Sequence, residues 1–356
     1  MEEIKINKWL QEVERRCAYR KNNKPNCRFD MSERSINFKD EFFQEFISSL
    51  RQEDIICYPS RYKFDHLKKL LSNYHNLNFD NVMLTPGSDI GIKSVFDTVL
   101  KKGKNVVTSE PCFPMYNVYA AISNANIKYV KYDSSLTLPT DNILKAVDDD
   151  TRLVVLANPN SPIGDWKSPG AIEKIAKFLQ EEGIILLIDE AYSDFAPGSS
   201  DFLVKKYNNI IISRTFSKSM GAAGLRIGYL LGDSSLIKTI SNLKLTFELT
   251  SVSTKFAIKL MENVNIFKEY AAEVVTQRNE LFKMFSESGR YDVINSHCNW
   301  IHFNDSNDNA KADKIFSSFG IAYKNKAKIP GDSRNNWIRL AVGANMTTMP
   351  FIKKLF

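Results

Sequence analysis

The sequence predicts an α/β fold: a large unit with a mostly parallel seven-stranded sheet covered by helices, and a smaller α+β unit beside it. Three observations carry this expectation. Short apolar runs alternate with longer amphipathic stretches through the middle of the chain. Some of those runs, RLVVLAN (152–158) and IILLID (184–189) among them, are apolar on both faces, as strands covered by helices on each side must be. From about residue 246 the texture changes, and a long helical pattern gives way to short alternating strands.

In chain order, strands are expected at NVMLT (81–85), NVVTS (105–109), IKYVKY (127–132), RLVVLAN, IILLID, NIIIS (209–213) and IGYLLG (227–232). Helical patterns such as DIGIKSVFDTVLKK (89–102) and PGAIEKIAKFLQEEG (169–183) fall between them. Beyond these, a helical stretch (253–288) precedes YDVINS, NWIHFND, the helical KADKIFSSF and WIRLAV. The expected division is an N-terminal segment (1–45) joined to the small domain, a large domain (46–245) and a small C-terminal domain (246–356). No internal repeat or low-complexity tract interrupts it.

Composition narrows the function. At 356 residues with a formal charge of +7, the chain has ample core, and no block of five or six like charges marks a nucleic-acid surface. A mildly basic average suits anionic small ligands. The five cysteines are scattered without a CxxC pair, which argues against a disulfide framework or zinc site and for a reducing cytoplasm. No run approaches the length of a membrane span, and the start MEEIKINKWLQEVERR lacks a signal peptide's apolar core. Frequent Lys, Asn and Ile suggest an AT-rich bacterial genome.

Four stretches carry chemistry. GSDIGIKS (87–94) imitates a nucleotide-binding loop but has the wrong spacing. What survives is a strand ending in Pro86-Gly87-Ser88-Asp89 before a helix, which reads either as an anion site at a helix N-terminus or as a simple Ser/Asp cap. LANPNSPIGDW (156–166) is a rigid turn at a strand's C-terminal edge, where open α/β sheets place ligands, although any turn would use such residues. In IILLIDEAYSDF (184–195), Asp189 emerges from a buried strand, costly without a cation, or serves as a cap. In TFSKSMGAAGLRIGY (215–229), Lys218 lies among small and hydroxyl residues with no carboxylate neighbour in sequence, either solvated or kept for chemistry.

The order NPNSPIG, DEAY, SKSMGAAGLRIGY resembles the fold type I pyridoxal-phosphate enzymes, specifically the class I/II aminotransferases of the histidinol-phosphate aminotransferase branch. The lysine signature is highly specific, and the similarity runs over nearly the whole chain. The resemblance implies pyridoxal 5'-phosphate as cofactor, carried covalently by Lys218, which would also move the proton at the substrate's Cα. Asp189 would pair with the ring nitrogen and Tyr192 would hydrogen-bond the phenolic oxygen. Ser88, Asp89, Thr215, Ser217 and Arg226 would cradle the phosphate, the arginine through its planar fork. Phe113 would stack on the ring, and Tyr58 would reach the phosphate of a partner subunit in a homodimer. Arg339 would clamp the substrate carboxylate.

Three departures mark this chain. The asparagine expected to face the cofactor oxygen is replaced by Ser161, with Asn160 before it: either Asn160 shifts in as the contact or the serine weakens it. The family's NEN stretch is echoed in MSERS, which places Glu33 toward the substrate. A second substrate arginine appears as Lys324, a point charge without a bidentate fork. The expected activity moves an amine from a donor, glutamate by expectation, to a small phosphorylated carbonyl acceptor. The alternative is a decarboxylase of a phosphorylated amino acid, similar to threonine-phosphate decarboxylase. A metal, nucleic-acid or membrane partner is not expected.

Overall fold

The computed structural model describes residues 28–305, 309–333 and 336–356. The seven expected strands form one sheet: β1 (Val82–Thr85), β2 (Asn105–Glu110), β3 (Asn126–Lys131), β4 (Thr151–Ala157), β5 (Ile185–Asp189), β6 (Ile210–Thr215) and β7 (Gly228–Gly232). Their order is β1-β7-β6-β5-β4-β2-β3. The block from β3 to β6 is parallel, whereas β7 runs antiparallel to both β6 and β1. Helices pack on both faces, so the centre of β4 and β5 is apolar throughout.

This topology decides where chemistry collects. In a parallel sheet every strand delivers its C-terminal end to the same edge. Ala157 pairs with Asp189, and Asp189 with Ser213, so the NPNSP turn, the DEAY turn and the lysine loop leave the sheet side by side. Strand β7 returns to this edge with Gly228 between Thr215 and Thr85.

The expected helical stretch 253–288 divides into Ser251–Glu262 and Asn265–Glu287. The cause is local: the Asn263 side chain donates to the Lys259 carbonyl and closes the first helix. The first of these helices joins the large core, where Phe256 stands edge-on to Phe38, Phe42 and Phe46. The second packs on a smaller antiparallel sheet of β8 (Tyr291–Ile294), β9 (Trp300–Asp305), β10 (Lys324–Ala327) and β11 (Trp337–Ala341), ordered β10-β11-β9-β8.

Alternation gives this small sheet two unlike faces. Ile301, Phe303, Ile338 and Leu340 point into a core with Leu281, Phe285 and Phe316. The opposite face carries Trp300, His302, Arg339 and Lys324, with Lys324, Arg339 and His302 directly opposed across three strands. Residues 28–35 form a strap along the small domain: Phe29 receives the Ala341 amide at 2.8 Å, and the Ser35 hydroxyl receives the Ala344 amide at 3.0 Å. Among the described residues no helix is long and apolar enough to cross a membrane, and no cluster could hold a metal ion.

Candidate active site

A cavity of about 640 Å3 opens at the sheet edge where those loops meet. Its walls include Ser88, Asp89, Phe113, Asp189, Tyr192, Thr215, Ser217, Lys218 and Arg226, with Met31 and Glu33 from the strap and Ser161 from the turn after β4.

At one end the residues build an anion cradle. The helix Gly87–Val99 starts at Pro86 with no side chain capping its first turn, so its leading amides remain available to a ligand. Ser88 and Asp89 therefore lie inside the first turn and do not cap it. A Cβ on Gly228 would come within 2.5 Å of the Ser88 nitrogen, so the start of β7 touches this helix end because no side chain intervenes. Arg226, two residues earlier, takes a left-handed turn (φ 53°) that directs its guanidinium to the same place. A Cβ on Gly87 would meet Arg226 Nη2 at 2.6 Å. Arg226 Nη1 donates to the Ser217 hydroxyl at 3.3 Å, and its nearest carboxylate, Asp89, stands 3.6 Å away. Thr215 Oγ1 receives the Ser217 amide at 3.1 Å and so shapes the turn.

At the centre lies a carboxylate with neutral partners. Asp189 is buried, accepting from the Tyr116 hydroxyl at 3.0 Å and the Ala191 amide at 3.2 Å. Burial pushes its carboxyl up to about 6, against the pull of those two bonds. The ionised form lacks a close cation, so the site is matched to a ligand carrying a positive ring nitrogen. Phe113 lines the same space and stands edge-on to Tyr116, their planes at 83°.

At the far end Lys218 Nζ donates to the Met31 carbonyl at 3.1 Å and lies 5.2 Å from the centre of the Tyr192 ring. Behind Tyr192, Trp300 packs edge-on at 4.8 Å, and Arg339 lies over the Trp300 ring at 4.7 Å. Burial lowers the Arg339 pKa. Lys324 is exposed on its edge strand, yet desolvation of its ammonium, then the charges of Arg339 and Lys218, hold its pKa down to about 8. Glu33 lines the cavity with Arg28 Nε 4.0 Å from it.

Arg339 and Lys324 stand on the small sheet and do not line the cavity, and two further expected residues lie elsewhere. The Asn160 amide is committed to its own turn, donating to Ser109 Oγ and the Pro111 carbonyl and accepting from the Ile163 amide. It is buried away from the cavity, and Ser161 takes the wall position instead. Tyr58 is 78% exposed, stacked on Phe247, and touches no part of this chain's cavity.

Sequence reasoning missed Tyr116, Met31 and Trp300. The first had a signal, because Tyr116 lies one helical turn after Phe113; the contacts of Met31 and Trp300 depend on tertiary packing. It also missed the brace behind the DEAY turn. Glu190 and Arg214 form a fully buried pair at 2.8 Å. Ser199 and Ser200 saturate the Glu190 carboxylate, and His75 links Asp201 at 2.6 Å to Tyr229 at 2.9 Å.

An amine with no carboxylate partner among the described residues, a buried carboxylate awaiting a cation and an anion cradle together fit a phosphorylated, nitrogen-containing aromatic aldehyde, and define an enzyme of amine chemistry. Residues 35–350 match the sequence model of the class I and II aminotransferases, and the chain belongs to that family. It is a pyridoxal-phosphate-dependent aminotransferase. It is 28% identical over 327 residues to a histidinol-phosphate aminotransferase of Clostridium novyi, covering 91% of this chain and 89% of that one. Its fold is similar to histidinol-phosphate aminotransferase from Sinorhizobium meliloti in complex with pyridoxal-5'-phosphate, at TM-score 0.81 and 22% identity over 98% and 95% of the two chains. It is also similar to L-threonine-O-3-phosphate decarboxylase of Porphyromonas gingivalis, at TM-score 0.76 and 14% identity over 92% and 98%.

Each group then has a task. When bound, pyridoxal phosphate supplies the ring that accepts the electron pair released at the substrate's Cα. Asp189 would hold the ring nitrogen's charge, Tyr192 the phenolic edge, and Arg226 with Ser88 and Ser217 the phosphate. Lys218 would carry the proton to and from the substrate's Cα.

Proposed function

We propose that the protein transfers the amine of glutamate to a small phosphorylated carbonyl acceptor, as a cytoplasmic homodimer. The observation that carries the substrate reading is the cationic row on β10 and β11. Arg339 has no carboxylate within ion-pair range among the described residues, and Lys324 stands directly across from it. A half-buried guanidinium without an internal anion is matched to a carboxylate brought by the substrate. Lys324, at the exposed edge, would take a second, distal anion. Arg339 would hold the substrate's α-carboxylate, and Lys218 would take the proton from Cα.

The fold is common to aminotransferases and to a phospho-amino-acid decarboxylase, so the choice rests on the carboxylate clamp. The dimer reading rests on Tyr58 and on exposed Ile55, Ile56, Tyr62, Leu245 and Phe247, large apolar side chains that contact with another chain would cover. Tyr58 would then complete the phosphate cradle of the partner. The proposed units are an N-terminal segment (1–45), a cofactor domain (46–245) and a small substrate domain (246–356), although the helix Ser251–Glu262 at the start of the last packs into the large core.

The test is a product assay on the purified holoenzyme. Glutamate alone is expected to yield 2-oxoglutarate in an amount equal to the enzyme, and to turn over when a phosphorylated ketone or aldehyde is added. Lys218→Ala is expected to abolish both the visible absorbance of the bound cofactor and turnover. Carbon dioxide released from a phosphorylated amino acid, with no 2-oxoglutarate from glutamate, would overturn the proposal.

A further inference from the structure

We infer that Trp300 is a positioning residue that sets the Arg339 guanidinium and the Tyr192 ring together, coupling substrate affinity to the surroundings of the cofactor. The inference rests on the reading that Arg339 takes the substrate carboxylate and Tyr192 faces the cofactor.

The placement follows from register. Trp300 on β9 lies opposite Ala341 on β11, and Arg339 lies two residues before Ala341 on the same face. The small Ala341 side chain leaves room for the indole to lean diagonally beneath the arginine. The guanidinium carbon sits 4.7 Å from the indole centre. The two residues directly across from Arg339, Lys324 and His302, are both basic types. No acidic side chain among the described residues pairs with it, so the electron-rich indole face is the attractive partner the site gives this cation. A carboxylate partner would have held the arginine as well but would have competed with the substrate.

The indole edge does a second job. Tyr192 stands against it at 4.8 Å and 84°, the edge-to-face geometry that aromatic rings favour. Tyr192 in turn walls the cavity 5.2 Å from Lys218 Nζ. One buried ring therefore touches the substrate clamp and the cofactor wall at once. Its Nε1 is buried and makes no hydrogen bond, so faces and edges hold the indole in place. A phenylalanine can occupy the place; an aliphatic side chain supplies neither face nor edge.

The test compares W300L, W300F and R339K with the unaltered holoenzyme. W300L is expected to raise KM for glutamate roughly tenfold, on the order of a lost desolvated cation–π contact, with a smaller change in kcat. It should also shift the pH midpoint of the bound cofactor's visible absorbance. W300F should restore most of both. In the cofactor-free protein, calorimetry should show glutarate binding about tenfold more weakly to W300L. A W300L protein with lowered thermal stability but unchanged KM, glutarate affinity and absorbance midpoint would reduce Trp300 to filling and overturn the inference. R339K separates the two readings. If it leaves the glutamate KM unchanged, the carboxylate assignment fails; if it raises KM while W300L does not, the Trp300 inference fails alone. Should W300L not accumulate, W300M carries the same expectations.

Discussion

Replacing Asp189 by asparagine should make the cofactor-free protein more stable and the loaded protein less so. In the absence of cofactor the carboxylate is buried with two neutral donors, and its pKa stands at about 6 against an ordinary 3.8. That difference of about two units corresponds to roughly 3 kcal/mol for holding the charge inside the fold. Because the folded pKa is the higher one, the penalty is full above about pH 6 and disappears as pH falls toward 4, where folded and unfolded forms both bind the proton. The asparagine oxygen can still accept from Tyr116 and Ala191. Cofactor-free Asp189→Asn should therefore gain up to about 3 kcal/mol at pH 8 and lose that advantage progressively below pH 6. Loaded with cofactor the sign reverses, since a ring-nitrogen cation at ~4 Å and an effective dielectric near 20 is worth about 4 kcal/mol to the carboxylate. Scanning calorimetry of both proteins, empty and loaded, at pH 8, 6 and 4.5 reads the crossover. An empty variant no more stable at pH 8, or one whose advantage grows on acidification, would refute the assignment of Asp189 as a stored charge.

Two further expectations concern charges farther out. Lys324, with its pKa held down to about 8, is a cation below that pH, so kcat/KM for a phosphorylated acceptor should fall as pH rises through 8; Lys324→Met should lack this limb, and an uncharged acceptor should never show it. Glu190→Ala removes the nearest carboxylate of buried Arg214 and leaves it Asp194 at 3.4 Å and Asp201 at 3.8 Å, so it should cost about 3 kcal/mol, the low end for a broken buried pair, by thermal or denaturant unfolding. Glu190→Gln, which keeps a group for Ser199 and Ser200, should cost less.

What was legible in the sequence was set by local rules. Apolar runs flanked by amphipathic stretches were enough to place β1 to β7; burial on both faces leaves a plain mark in the composition of the inner strands, while β3, at the edge and largely exposed, is marked by alternation alone. Asp189 and Lys218 announced themselves as charges in places that give a charge nothing to pair with. Asn160 shows the limit: both Asn160 and Ser161 sit in one turn, and which of them faces the cavity depends on Ser109 and Pro111, about fifty residues away. The break at Asn263 was hidden inside a helical pattern, since one side chain bonding back to Lys259 decides it. Nothing in the stretch NWIHFND marks Trp300. Its significance arises from a diagonal across β9 and β11, and cross-strand register is not written in either strand alone.

The strap has a consequence in the time domain of synthesis. Strands β1 to β7 lie within residues 82–232, so the sheet and its phosphate cradle can assemble once that stretch has left the ribosome. The strap emerges earlier, yet its partners come late: Phe29 waits for Ala341, a separation of 312 positions (341 − 29 = 312), and Ser35 waits for Ala344. At roughly 5–20 residues per second, the 112 residues between Gly232 and Ala344 (344 − 232 = 112) take on the order of 6 to 22 seconds to appear. Through that interval Met31 has no fixed position from which to hold Lys218, and the sheet that carries Trp300 and Arg339 behind Tyr192 is incomplete. A nascent chain can thus acquire the means to grip the cofactor's phosphate before it acquires any means to choose a substrate.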